Sequence, residues 1–589
     1  MCHDALVTKA SGAMHVETSR RPHVRKDGTE VVYERHLLRR SFRNAEGKPD
    51  KETLANLSAL PADAITAIRS VLSGKTLIDA AQAFQITRSR PHGHVAAVHA
   101  MARQVGFPQL LGPAGRQRDL ALALIVSRVV RPKPKLSTLS WWGDVTLGED
   151  LGVADASPAE VYAAMDWLRG RQDTIEAQLA RRHLAEGGLA MFDLSSSRME
   201  GTHCELAARG YSRDGKKGKT QIEYGLLTDA QARPVAIRVF PGNTADPTAF
   251  VHAVTVVRDK FGLTRLTMVG DRGMITSARI AAITDDPDNH LSWITCLRAP
   301  AIATLAADDG PPQMTLFDTH DLAEITHPDY PGERLVACRN PALAQLRAHK
   351  RHDLLTATEA LLDKIVARVQ AGTLTGADRI GVAAGKVIDK YKMAKHFTLD
   401  ITTAGFSHTR NQTRIDTEAA LDGIYVIRTN VPTHNLDPAD VVIAYKNLAG
   451  LERDWRNIKT DDLDLHPVHH YLTGRVEAHL LICMLAQYLT WHLRRAWAPL
   501  TYTDQRPPPR DNPVTAAQRS DAAAAKARNK TGPDHQPIRS FRDLLDHLGT
   551  LTRNTTVFAE HHLDVLTTPT PTQHRAFELV GATIPLTLT

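Results

Sequence analysis

Cysteine is scarce in the 589-residue sequence: Cys2, Cys204, Cys296, Cys338 and Cys483 are scattered, odd in number and form no Cys-x-x-Cys pair. That argues against structural zinc and against a disulfide framework, and fits a reducing compartment. Apolar runs stay well short of the ~20 residues that cross a bilayer, and the leading MCHDALVTKASG lacks the apolar core of a signal peptide. A cytoplasmic protein without a membrane partner is therefore expected. Internal repeats are missing. Ser195-Ser196-Ser197 lacks the Gly-x-Ser-x-Gly frame of a nucleophile elbow. Ser73-Gly74-Lys75-Thr76 follows Arg69, where a phosphate-cradling loop needs glycine. Histidines number 28, but the densest groups, His92-Gly93-His94 and His466-Pro467-Val468-His469-His470, have no second ligand pair at zinc spacing. Surface or phosphate-neighbour roles suit them better.

What remains is an ordinary globular composition, 42% apolar and 23% charged, with a net charge of +7. The mildly basic balance suits a polyanionic partner without demanding one. The length allows three or four domains. After a flexible N-terminus (1–22), residues 23–61 alternate apolar and charged positions around Lys26-Asp27-Gly28, the pattern of a small basic β-meander. Residues 62–135 read as helical. Leu77, Ala80, Ala81 and Phe84 keep helical spacing, a Gln-Ile-Thr turn follows, and a second helix starts near Thr87 with Arg88, Arg90 and a tolerated Pro91. This is a helix-turn-helix pattern, weak by itself, in which Arg88 and Arg90 would meet DNA. A helical linker (136–186) comes next.

From 187 to 297 strands alternate with helices. The segments 189–192, 221–227, 235–240, 266–269 and 291–297 read as strands, and 250–261 and 276–283 as helices. Three strands in hairpin succession followed by crossovers indicate a mixed sheet with helices packed on it. Residues 298–440 interrupt it as a mixed α/β insertion. Two helices, 444–459 and 475–495, close the core within 441–497. The Pro- and Ala-rich stretch 498–536 reads as a mobile basic linker, with a tail at 537–589.

In GGLAMFDLSSSRMEG an apolar strand runs into Asp193, and in RLTMVGDRGM a second ends at Asp271. A single such Asp is a turn or helix cap. Two at the ends of separate central strands can hold a hard cation such as Mg²⁺ between them. The third partner comes from AYKNLAGLERDWRNIKT, where Glu452, Arg456 and Lys459 share one helical face with Tyr445, and Leu451, Trp455 and Ile458 bury the other. The bland alternative is a solvated Glu–Arg face.

The spacing Tyr445, position 448, Glu452, Lys459 resembles the Tyr-(2)-Arg-(3)-Glu-(6)-Lys box of bacterial insertion-sequence DDE transposases. MFDLSSSRMEG, GYSRDGKKGKTQIEYGLL, FPGNTAD, GDRGM, LDGIYVIRTN and RVEAHLLICMLAQYL are similar to the same class, over roughly residues 23–495. Position 448 departs from the box with Leu for Arg; that arginine's role is then absent or supplied by Arg453 or Arg456. The resemblance implies an RNase H-like core, a catalytic triad of Asp193, Asp271 and Glu452, and two Mg²⁺ ions, replaceable by Mn²⁺, that drive phosphoryl displacement at element ends and in target DNA. Tyr445, Arg456 and Lys459 would contact DNA phosphates, Arg272 and His479 would stand behind the triad, and a homodimer would pair two ends at the nucleoid. Lys216, Lys217 and Lys219 are either backbone contacts or a solvated hairpin tip. Two other readings remain: a DNA-binding repressor without catalysis, favoured by Leu448, and a hydrolytic nuclease of the same fold.

Overall fold

The computed structural model describes residues 12–44, 46–77, 84–201, 203–213, 215, 218–284, 291–307, 317–532, 535–558 and 561–588. Two compact units result, one from Met1–Ser89 with Asn554–Val565, the other from Arg90–Arg553 with Leu566–Thr589.

The small unit opens with an antiparallel meander, β1 (Met14–Val24), β2 (Glu30–Arg43) and β3 (Pro49–Asn56), so the strands begin within the segment expected to be flexible. Helix Ala62–Leu72 follows. The second helix of the expected helix-turn-helix is not formed: Phe84–Pro91 is a strand, β4, and the next helix begins only at Gly93. Ile86 and Thr87 are β-branched, which suits extended backbone. The Thr87 hydroxyl donates to the Thr555 carbonyl (3.1 Å) in a three-stranded sheet with later strands. Residues 78–83 of the first expected helix lie outside the described residues. Arg88 is exposed, but Arg90 is buried and ion-paired to Glu149, which removes it from any DNA face.

In the large unit an eight-stranded mixed sheet is flanked by helices. Its strands are β5 (Leu189–Arg198), β6 (Gln221–Asp229), β7 (Pro234–Pro241), β8 (Thr267–Val269), β9 (Ser292–Cys296), β10 (Leu322–Ile325), β11 (Arg334–Arg339) and, after the hairpin β12–β13 (Phe397–Ile401, Phe406–Arg410), β14 (Ile424–Thr429). The order is β10-β11-β14-β9-β8-β5-β6-β7; β5, β8 and β9 run parallel and every other neighbour is antiparallel. All nine residues of β6 are buried, as expected of a strand covered on both faces. Helix Thr473–Ala496, buried from Leu480 to Thr490, packs on the neighbouring β7 and on helices Arg116–Val130 and Pro158–Gly170.

Two expectations about the periphery change. The supposed insertion 298–440 contributes β10, β11 and β14 to the main sheet. A separate apolar cluster forms only around helices Pro341–Gln370 and Ala377–Lys390 and the β12–β13 hairpin. The supposed linker is ordered where described. Lys446 Nζ donates to the Pro513 (2.6 Å) and Thr515 (3.0 Å) carbonyls, and Asn340 Nδ2 to that of Val514 (3.0 Å). Ser520 caps helix Asp521–Asn529, and buried Lys526 donates to the Ala498 carbonyl (2.8 Å). Side-chain donors thus satisfy an extended backbone that has no sheet partner. Among the described residues no helix is long and apolar enough to cross a membrane.

Candidate active site

Parallel register brings the two aspartates together. Met191 of β5 pairs with Val269 of β8, and each aspartate lies two residues beyond its member of that pair. Asp193 stays within β5, which continues to Arg198, whereas Asp271 lies in the turn that leaves β8, next to a strand about 4.8 Å away. Gly270 separates Val269 from Asp271. A Cβ there would come within 2.9 Å of the Ile275 Cδ1, so the turn out of β8 packs directly on the following segment.

Glu452 arrives from a broken helix. The segment expected as one helix over 444–459 consists of Pro438–Lys446, Leu448–Arg456 and a wider turn, Asn457–Asp461. Leu451, Trp455 and Ile458 are buried as the periodicity required. Asp454 fixes the same face to helix Thr473–Ala496 by accepting from Gln487 Nε2 (2.8 Å). Asp193, Asp271 and Glu452 then line a single cavity of about 590 Å³, together with Tyr445, Leu448 and Arg213.

Burial dominates the electrostatics of the first aspartate. Burial pushes the Asp193 carboxyl up to about 6, and the charges of Asp271 and Glu452 add to the rise; a bond from the Leu194 backbone and the Arg213 charge oppose it. Trp455 Nε1 donates to Asp193 Oδ2 (3.1 Å), and the Arg272 N–H donates to Asp271 Oδ1 (2.6 Å). Lys459 Nζ donates to Ser195 Oγ (3.0 Å), so the ammonium reaches the strand that bears Asp193. Tyr445 hydrogen-bonds Cys296 in the cavity wall, where burial raises the phenol.

Among the described residues no three His, Cys, Asp or Glu side chains stand close enough to enclose an ion as arranged. The donors nevertheless suit magnesium, which takes hard oxygens and is commonly held by one or two carboxylates plus water and substrate phosphate. A closed protein cage is not required.

Sequence reading missed the residues that organise this cavity. Arg213, from the GYSRDGKKGK stretch, is ion-paired with Asp246 and lies 3.4 Å from the buried Glu223, whose carboxyl burial pushes up to about 7. A Cβ built on Gly273 would lie 3.7 Å from Asp246 Oδ2 and 3.9 Å from Asp271 Oδ2, which sets the Asp246 carboxylate beside the triad. FPGNTAD held the signal, but only convergence in space distinguishes its aspartate from a helix-start residue. Arg272 and Arg456 are exposed beside the cavity residues, and Lys219 is exposed in its turn. Lys216 and Lys217 lie outside the described residues. His479 does not line this cavity. It is buried on helix Thr473–Ala496 against Lys135 (2.9 Å), because that face of the helix packs on the N-terminal helices and not on Glu452.

No protein-family model matches the chain, and no curated protein matches it. Among solved structures it is similar to a cryo-EM structure of the piggyBac transposase synaptic complex with hairpin DNA. The identity is 9%, covering 68% of this chain and 79% of that one, with a TM-score of 0.25, a likeness too slight to bear on fold or activity.

Proposed function

We propose that the chain is a DDE transposase that cleaves DNA at the ends of its element and joins the freed 3′ ends to target DNA. The observation that carries this reading is the common cavity of Asp193, Asp271 and Glu452, in which each of the other two carboxylates adds its charge to the rise of Asp193. The sheet supports it. The order β7-β6-β5-β8-β9, three antiparallel strands followed by two parallel ones, is the arrangement expected of an RNase H-like core, with β14, β11 and β10 extending its edge.

In this reading Asp193, Asp271 and Glu452 would hold two Mg²⁺ ions. Bound there, the metal supplies activation of the attacking oxygen and stabilisation of the leaving 3′ oxygen. The chain's own side chains position the DNA. Lys459, tied to Ser195, presents its ammonium beside Asp193 to a phosphate next to the scissile bond, and exposed Arg456 extends the contact along the backbone. Tyr445 forms part of the wall against which the strand lies. Arg213, ion-paired with Asp246 and 3.4 Å from Glu223, offsets acidic charge beside the triad. Leu448 places an apolar side chain where the related box has a cation, so Arg456 and Lys459 carry the phosphate contacts alone. Double-stranded DNA is the partner, a homodimer pairs two ends, and the site of action is the nucleoid.

The test is nicking of a supercoiled plasmid bearing the element's ends, by the full chain in Mg²⁺ and in Mn²⁺. Asp193→Asn, Asp271→Asn and Glu452→Gln should each abolish nicking, by about 10³-fold or more, while retaining the DNA in a gel-shift assay. Wild-type nicking preserved in Asp193→Asn would sink the reading. Binding without nicking by the wild type would favour a repressor, and nicking without joined products a nuclease.

A further inference from the structure

A second cavity, of about 400 Å³, opens where the loop after the Glu452 helix meets the N-terminal helices. Its charged lining is almost wholly cationic. Arg128, at the end of helix Arg116–Val130, and Lys135, the first residue of helix Lys135–Asp144, are both 6% exposed. Lys135 Nζ donates to His479 Nδ1 (2.9 Å); the Arg128 guanidinium donates to the carbonyls of Leu463 (3.2 Å) and Lys133 (3.3 Å). Among the described residues neither is ion-paired to a carboxylate. Among the described residues of the lining the one carboxylate, Asp464, is exposed. Lys133, exposed, and His470, half-buried with its ring 5.3 Å from that of His479, complete the wall.

Two buried cations without a counter-ion repel each other and forgo hydration, a cost that a protein usually removes by pairing. Burial accordingly holds Lys135 well below its usual range, with Arg128 adding to the effect, and pushes His470 down to about 3. The free N–H groups at the start of helix Lys135–Asp144, whose N-cap position is Pro134 without a side-chain cap, add partial positive charge at Lys135.

We propose that this cavity is a binding site for a phosphate group, held by Lys135 and Arg128 from within and by Lys133 and His470 at the mouth. A tetrahedral oxyanion accepts from several donors at once and supplies the missing negative charge. The phosphate belongs either to a DNA backbone or to a small phosphorylated molecule. The cavity is tied to the other site through His466, whose Nδ1 bonds the Lys459 carbonyl (2.7 Å), and through Val468, which pairs with Met199 just past β5. The proposal does not rest on the transposase reading, since no metal or catalysis enters it.

Inorganic phosphate titrated calorimetrically into the full chain in EDTA is the probe, with chloride as control. One phosphate per chain should bind, and Lys135→Met should weaken it about tenfold or more. Lys133→Ala, at an exposed position that leaves the fold intact, should weaken it by less. Absence of phosphate binding by the wild type overturns the proposal, as does binding unchanged in both Lys133→Ala and a folded Lys135→Met. A duplex oligonucleotide then assigns the source. Competition with phosphate that is lost in Lys133→Ala supports a backbone phosphate, whereas simultaneous binding of both supports a small phosphorylated ligand. Failure of plasmid nicking, by contrast, leaves this result untouched.

Discussion

The chain from Leu448 to His470 borders two cavities of opposite charge. At one end Leu448 and Glu452 face Asp193 and Asp271; at the other, Asp464 to His470 face Lys135 and Arg128. Each cavity holds one group whose charged form burial disfavours: Asp193, pushed up to about 6, and Lys135, pushed downward. The same physics, desolvation reinforced by like charges, thus prepares one site for cations and the other for an oxyanion. The acidic cavity differs in one respect. Besides Lys446, it contains a counter-charge that acts on Asp193, Arg213, whereas among the described residues the lining of the basic cavity has only the exposed Asp464.

Removing that counter-charge is the sharpest way to break the comparison, and after the triad variants it carries the largest expected effect. Arg213 lowers the Asp193 carboxyl and is ion-paired with Asp246. Arg213→Gln should lower nicking about 10- to 100-fold at neutral pH. Without the guanidinium, Asp193 keeps its proton to higher pH, so the acidic limb of the pH–rate profile should move upward and Arg213→Lys should return it part of the way. A role confined to folding would lower the rate without moving the limb.

The paired stability experiment follows, smaller in size and opposite in sign at the two cavities. A carboxyl raised from 3.8 to about 6 binds a proton in the folded state that the unfolded chain lacks between those values. Asp193 therefore destabilises the metal-free protein above about pH 6, and the penalty lifts as pH falls through that range toward 4. In EDTA, Asp193→Asn should gain roughly 1–3 kcal/mol at pH 7.5 and much less at pH 5, by urea denaturation. Lys135, surrounded by Arg128, His470, His479 and Cys483, is lowered. The unfolded lysine holds its proton more tightly than the folded one, so this penalty lifts as pH rises toward 10.5. The gain from Lys135→Met should therefore shrink with rising pH, and added phosphate should remove it. Parallel slopes for the two variants would contradict the comparison.

What the sequence made legible follows from where the determinants lie. The five strands of 187–297 and the buried face of Leu451, Trp455 and Ile458 are set by local hydrophobic pattern and appear where they were read, except that β5 runs on from 192 to Arg198. Asp193 and Asp271 were singled out because each was read as ending an apolar strand, and Glu452 because it stands opposite an apolar helix face; β5 in fact continues through Asp193 to Arg198, because its later residues pair with β6. The strand at Phe84–Pro91 was misread because its β-branched residues are stabilised by partners more than 460 positions away, at Thr555. The order of 498–532 depends on Lys446, Asn340 and the Ala498 carbonyl, none visible in a Pro/Ala-rich composition. Arg213 and Lys135 were missed for the same reason. A lone Arg in a Gly-rich turn and a Lys after Pro134 have no pattern; their meaning comes from what burial places opposite them.

The smallest expected effect tests how finely the acidic cavity is balanced. Trp455 is buried, its ring lies edge-on to Tyr224 at 5.1 Å, and its Nε1 donates to Asp193 Oδ2. Hydrogen bonding to the charged form favours that form, so the indole partly offsets the push from Asp271 and Glu452. Trp455→Phe keeps an aromatic ring against Tyr224 and removes only the donor. The Asp193 titration, followed by carboxyl NMR in EDTA, should then rise further by about one unit or less. The basic cavity should not respond, and its phosphate affinity should be unchanged. An Asp193 midpoint that stays put or falls would mean the indole does not stabilise the carboxylate, leaving the Leu194 backbone bond and Arg213 as the counterweights to its neighbours.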